Sequence, residues 1–404
     1  MISFLARHYR DGRTLRFSLA HGRIGTVEPT EVPESDAAAL PFVAPGLFDI
    51  QLNGYGGAWF GSEVVTVSSV SAVVRAYAAH GITQCFPTLI TSSFDAMMHG
   101  IRTIRRAQAE DELVRDIVRG IHLEGPYISP VDGARGAHPQ EHVRPASCDE
   151  FFRWQKAADN TVRLVTLAPE VSGGIDFVRR IACAGVVIAI GHTVAPAEVI
   201  TQAADAGARL STHLGNGCPA MMHRHENVIW PQLADDRLTA SVISDGWHLP
   251  RAPLQCLLRC KSPSRVIITC DVSGFAGCAP GRYEYGGVSV EVLDDTRIVV
   301  AGQRTLLAGS SATTGDCVIH MMRSCGISLA DAWDLASLRP AALFGEPVCN
   351  LRTGDEATLT LFRTLPEAGT RSHSGRASAA APGFQPVATI VKGRVVSGVL
   401  TPDS

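Results

Sequence analysis

One local pattern constrains this chain more than any other: a short apolar run that stops at a residue able to do chemistry. Residues 42–50 stop at Gln51, and residues 117–121 lead into Glu124. Residues 186–190 lead into His192, 208–211 into His213, 238–243 into Asp245 and 266–270 into Asp271. Helical spacing fills the gaps, at 68–79 before Gly81, at 93–109, at 175–184, and at 196–206 with Pro196 in the first turn. Strands that alternate with helices imply a parallel sheet, and about eight such units over roughly 300 residues fit a (β/α)₈ TIM-like barrel. No Gly-rich phosphate fingerprint follows the first strand, which places an open doubly wound sheet second. In a barrel, the carboxyl ends of the strands carry the chemistry.

The two ends of the chain read differently. Residues 14–19 and 23–27 are strand-like around the turn at His21-Gly22. Residues 357–362 form another strand, and 388–396 read as a hairpin turning at Lys392-Gly393. The expected organisation is a small β-sandwich domain built from both termini (1–43 and 349–404) around a catalytic barrel at 44–348. A helical pair at 315–324 and 329–338 closes the barrel. Residues 364–385, rich in Ser, Ala, Gly and Pro, are expected to be a flexible loop.

Bulk properties exclude several classes. The formal charge of −3 comes without a basic stripe, so nucleic acid is not an expected partner. No apolar run of about 18 residues suggests a membrane span, and the N-terminus lacks a signal-peptide core. Eleven cysteines without a C-x-x-C pair point to a reducing cytoplasm.

The chemistry centres on 120–139, GIHLEGPYISPVDGARGAHP. A carboxylate at the end of a buried strand is costly unless a cation meets it. Glu124, His192 and His213 would supply the three ligands of a catalytic metal site that keeps a position for water. A lone histidine at a strand end is more often a cap or a core residue, but three such groups on one rim favour a site. Asp271 is the candidate general base, with a turn acid as its plainer reading. Asp245 competes for that role, although Ser244-Asp245-Gly246 reads better as a turn that presents His248.

Taken together, PGLFDIQLNGYGG (45–57), HLEGPYISP with RGAHP (122–139), GHT (191–193), THLGNG (212–217) and SDGWHLP (244–250) resemble the N-acetylglucosamine-6-phosphate deacetylase family of the amidohydrolase superfamily. LAGSSATT (307–314) and RPAALFG near the end of the core agree, so the likeness covers nearly the whole chain in order. The resemblance implies metal binding by Glu124, His192 and His213, and an acid/base role for Asp271. It implies substrate contacts from His138 and His248, and sugar-phosphate contacts from Asn216, Gly217 and Arg224. Gln51 and Asn53 stand where many amidohydrolases carry a His-x-His pair, which argues for one divalent ion (Zn²⁺, with Fe²⁺, Co²⁺ or Mn²⁺ as alternatives). The implied reaction removes an N-acetyl group from a small-molecule amino sugar, in a homodimer. Where the family usually follows its phosphate-binding arginine with Glu-Pro-Gly, this chain has His225-Glu226-Asn227. Hydrolysis of another N-acyl amine, such as an N-acyl amino acid, and a catalytically silent binding protein are the alternatives.

Overall fold

The alternating segment closes on itself. In the computed structural model, which describes residues 2–365 and 383–401, eight parallel strands follow in chain order. They are β1 (Leu47–Leu52), β2 (Ile82–Ile90), β3 (Ile121–Glu124), β4 (Val162–Leu167), β5 (Val187–Ile190), β6 (Leu210–Ser211), β7 (Thr239–Ile243) and β8 (Val266–Thr269). Helices cover the outside, among them Val67–Ala79, whose N-terminus is held by a Thr66/Ser69 capping box, and Phe94–Glu110, capped by Ser93. The sheet's two ends, β1 and β8, meet with little ladder between them: one parallel bridge, Leu52 to Val272, and one bond from Asn53 N–H to the Val272 carbonyl, 3.1 Å.

The barrel interior is layered. Where the strands begin, Phe48, Ile50, Phe86, Leu164, Ala189, Leu210 and Ile267 pack together and are closed off by Phe344 of the helix Leu338–Phe344. Toward the strands' other end the lining turns polar. His122 is fully buried between Thr88 Oγ1 (3.2 Å) and Thr166 Oγ1 (2.8 Å), and Thr166 meets Thr212 Oγ1 at 2.7 Å. Each buried polar atom in that chain has a partner, as burial requires.

The expected strand at 42–50 is two strands. Phe42–Pro45 pairs with Ile2–His8 and with Leu359–Thr364, whereas Leu47–Leu52 enters the barrel. The break is at Pro45-Gly46, where the chain passes so close to Thr83 that a Cβ on Gly46 would overlap its hydroxyl at 1.9 Å. Phe42–Pro45 thereby joins both chain ends into one seven-stranded sheet, which runs across the 43/44 boundary. Ile2–His8 was not among the expected strands, and residues 364, 384 and 385 of the expected loop belong to strands. Residues 366–382 of that loop lie outside the described residues.

The terminal sheet is fastened to the barrel by specific bonds. Thr360 and Thr389 hydroxyls donate to the Gly81 and Ala78 carbonyls (2.7 and 2.6 Å), and Lys392 Nζ meets the buried Asp116 at 2.7 Å. Between β8 and the helix Thr314–Cys325 the chain makes an unanticipated four-stranded antiparallel sheet from Gly281–Tyr285, Val288–Val292, Ile298–Val300 and Gln303–Leu307. No helix among the described residues is long and apolar enough to cross a membrane.

Candidate active site

The carboxyl ends of the barrel strands bring most of the expected site residues to one place. Glu124 ends β3, His192 follows β5 by two residues, and His213 follows β6 by two. All three are buried, at 2%, 6% and 2% exposure. Glu124 Oε1 lies 3.1 Å from His192 Nε2 and 3.0 Å from His213 Nε2, and the two nitrogens are 3.1 Å apart.

This donor set fits a divalent cation. His192 Nδ1–H donates to the Ala134 carbonyl at 2.8 Å, which leaves the Nε2 lone pair directed at the cluster. Two imidazole nitrogens and a carboxylate oxygen, all within 4.8 Å of one another, need a shared positive charge once buried. Burial alone would raise the Glu124 carboxyl. The hydrogen bonds and charge of His192 and His213 outweigh it and hold the group well below its usual range.

The backbone is strained where it aims these groups. His192 (φ 52°), His213 (φ 31°) and Asp271 (φ 49°) all sit in the left-handed region. Such residues cost on the order of 1–3 kcal/mol each and persist only where the surroundings impose them. Gly217 explains part of the packing: a Cβ there would lie 3.0–3.1 Å from the His192 and His213 rings.

Gln51 takes up the space beside the cluster. The ladder between β1 and β2 pairs Asp49 with Cys85 and Leu52 with Pro87, three steps against two, so β1 bulges at residues 50–51. From this bulge, Gln51 Nε2 donates to Glu124 Oε1 (2.8 Å) and to Asp271 Oδ1 (3.0 Å), and Asn53 Nδ2 donates to the same Asp271 oxygen at 2.8 Å. One amide thus links two carboxylates. Burial, and then the charge of Glu124, push the Asp271 carboxyl up to about 8.

His248 stands at the other side of the cavity with Asp245 behind it. Asp245 Oδ2 meets His248 Nδ1 at 2.7 Å and accepts from Ser310 Oγ at 2.8 Å, while Oδ1 accepts from the backbone N–H groups of Trp247 and His248. Burial would raise Asp245, but His248 and these N–H groups bring it down to about 2. Burial lowers His248, and Asp245 more than reverses that, so the imidazole's value is raised. Asp245 is therefore engaged with His248 rather than aimed at the cluster. His138 packs its ring 4.3 Å from that of His192 and bonds Thr91 Oγ1 at 2.7 Å; burial, then His192, lower it to about 3.

The site opens into a cavity of about 320 Å³ lined by Glu124, His138, His192, His213, His248 and Asp271, with Asn216 and Gly217 on its wall. Arg224 is not brought in: it is exposed on the segment 219–227, where its carbonyl accepts from Trp230 Nε1. The inserted sheet supplies further wall residues, not expected from the sequence, notably Tyr285, Val288 and Leu306. Tyr285 stacks on Trp59 at 4.1 Å. A signal for the insertion existed in the alternation of 288–292, but nothing in it indicates the site.

Known proteins resemble this chain in sequence and in fold. The amidohydrolase family profile matches residues 42–396. The chain is 35% identical to an N-acetylglucosamine-6-phosphate deacetylase of Bos taurus, over 75% of this chain and 74% of that one. It is 29% identical to an N-acetylgalactosamine-6-phosphate deacetylase of Escherichia coli O157:H7, over 81% and 84%. An N-acetyl-D-glucosamine-6-phosphate deacetylase of Mycobacterium smegmatis, solved as a variant in complex with N-acetyl-D-glucosamine-6-phosphate, superposes with a TM-score of 0.81 at 27% identity, over 98% of this chain and 100% of that one.

Proposed function

The chain belongs to the amidohydrolase family, in its N-acetylglucosamine-6-phosphate deacetylase branch, and from that premise we propose that it hydrolyses the N-acetyl amide of a 6-phosphorylated amino sugar to acetate and the free amine. The observation that carries the reading is the buried Glu124–His192–His213 cluster with Asp271 joined to it through Gln51. Those three residues would hold one divalent cation, which when bound lowers the pKa of a water and polarises the amide carbonyl.

The protein's own groups do the rest. Asp271 takes the proton from the attacking water and later delivers it to the departing nitrogen. Gln51 and Asn53 tie down Asp271 Oδ1, leaving Oδ2 for the proton. Asp245 holds His248 through Nδ1, so Nε2 is presented to the carbonyl oxygen as charge develops there, and His138 lines the same space.

The finer reading follows the same line. The N₂O donor set suits Zn²⁺, with Fe²⁺, Co²⁺ and Mn²⁺ as alternatives. Asn216, Gly217 and Arg224 would hold the sugar phosphate, which requires the 219–227 segment to bring Arg224 inward. Eleven unpaired thiols suit a cytoplasmic enzyme, the division at 1–43, 44–348 and 349–404 separates the terminal sheet from the barrel except at Phe42–Pro45, which crosses the first boundary, and the assembly is a homodimer. The relative from Escherichia coli supports the C4-epimeric N-acetylgalactosamine-6-phosphate as a second substrate. Acetate release from both phosphorylated sugars and from N-acetylglucosamine, measured side by side, tests the proposal. Turnover confined to the phosphorylated pair supports it; no turnover of any overturns it.

A further inference from the structure

The seam between β1 and β8 is the weakest join of the barrel ladder, yet Gln51, Asn53 and Asp271 meet across it. Beneath them lies Asp49, a carboxylate with 0% exposure and no lysine or arginine among its hydrogen-bond partners. Oδ1 accepts from the Gln51 N–H at 3.0 Å and from Thr269 Oγ1 at 2.5 Å. Oδ2 accepts from the Cys270 N–H at 2.9 Å and from Thr314 Oγ1 at 2.6 Å. A buried carboxylate without a counter-ion is costly, and four donors on its acceptor sites are what make it tolerable.

Two of those donors are the backbone N–H groups that matter for the site. Gln51 belongs to the β1 bulge that aims its own amide between Glu124 and Asp271. Cys270 immediately precedes Asp271, whose backbone is strained at φ 49°. One side chain therefore grips both sides of the seam directly below the reacting groups. Thr314, at the start of the helix Thr314–Cys325, ties the same carboxylate to the outer layer.

We propose that Asp49 is a positioning residue: by replacing the missing ladder between β1 and β8, it sets the distance from Gln51 to Asp271 and so keeps Asp271 placed for proton transfer. The inference rests on the amide-hydrolase reading for its kinetic readout. The role calls for a carboxylate. In Asp49→Asn the amide NH₂ must face either the Gln51 or the Cys270 N–H, so one donor meets another whichever way it turns.

The test compares Asp49→Asn with the parent at a temperature where both are folded by circular dichroism. Acetate release from N-acetylglucosamine-6-phosphate and N-acetylgalactosamine-6-phosphate is measured, with metal content on the same samples and a crystal structure of each. The expected result is unchanged metal content, KM within about 3-fold, and kcat lowered about 10- to 100-fold, the scale of a small misplacement of a reacting group. The Gln51–Asp271 contact lengthens in the crystal structure. A variant with parental kcat and a lowered melting temperature would make Asp49 a stability residue only and overturn the proposal. If the parent turns over neither sugar, the function reading fails instead, and an unmoved Gln51–Asp271 contact in the variant overturns the positioning role separately. Should Asp49→Asn not fold, Thr269→Val removes one donor and leaves both backbone bonds. It is expected to lower kcat about 3- to 10-fold at constant KM, and parental kcat would overturn the proposal.

Discussion

The floor and the wall of the cavity are built on different principles. The floor consists of Glu124, His192, His213 and Asp271, with Gln51 bonded behind them, all on barrel strands or within two residues of one, and held by buried partners. The wall comes from the inserted sheet at 281–307 and from residues 215–220 after His213, which lead into an exposed stretch where Met221 is 90% exposed. Groups that handle protons and charge must be fixed to fractions of an ångström, and closed-barrel strands supply that. Groups that select a substrate can sit on pieces with fewer anchors, since altering them leaves the chemistry in place.

The contrast can be broken most forcefully at the floor. Asp271→Asn should lower kcat about 10²- to 10⁴-fold, the typical worth of an acid/base group, while elemental analysis finds its metal retained. Parental activity in that variant would remove Asp271 from the mechanism.

Asp245→Asn probes the support behind the floor. Loss of the carboxylate that raises His248 lets the imidazole lose its proton at lower pH, so the alkaline limb of kcat/KM should shift toward acid, with kcat down about 10-fold. The stability contributions run opposite ways. His248 is raised in the folded state, so its share is full below about 6.5 and lost as pH rises through the folded value. Asp245 is depressed, so its share is present above about 3.9 and lost as pH falls toward about 2. Unfolding midpoints across pH for parent and variant check both signs.

Arg224→Ala addresses the wall. If the 219–227 segment closes on a phosphate, KM for the phosphorylated sugars should rise about 10-fold or more with kcat nearly constant, as a lost charged hydrogen bond implies. An unchanged KM would leave Arg224 a surface residue. The smallest effect is expected for Tyr285→Phe. Its hydroxyl is buried with no partner among the described residues, and its ring keeps the stack on Trp59. Activity within about 2-fold and stability within about 0.5 kcal/mol are expected; a larger loss in KM would mean the hydroxyl meets the substrate.

The same division explains what the sequence disclosed. Glu124, His192, His213 and Asp271 were legible because each interrupts an apolar run, and a buried strand end has few reasons to carry such a group. Their left-handed backbone angles left no mark in composition. Asp49 was not legible, since an acid inside FDIQLN looks like any polar position of a strand until its four donors arrive from residues as distant as Thr314. The split of 42–50 at Gly46 was hidden because both halves are apolar. The inserted sheet escaped because its strands are three to five residues long and half-exposed, with weak periodicity. Arg224 was readable as a residue type, but not as an exposed one.

Whether the floor works with a single cation is decided by removing metal with a chelator and adding Zn²⁺ back in steps while acetate release from N-acetylglucosamine-6-phosphate is followed. Activity is expected to rise in proportion to added metal and to stop rising at about one ion per chain, as three ligands and a bridging Gln51 amide require. A break at about two ions per chain, or full activity in the chelated protein, would contradict it.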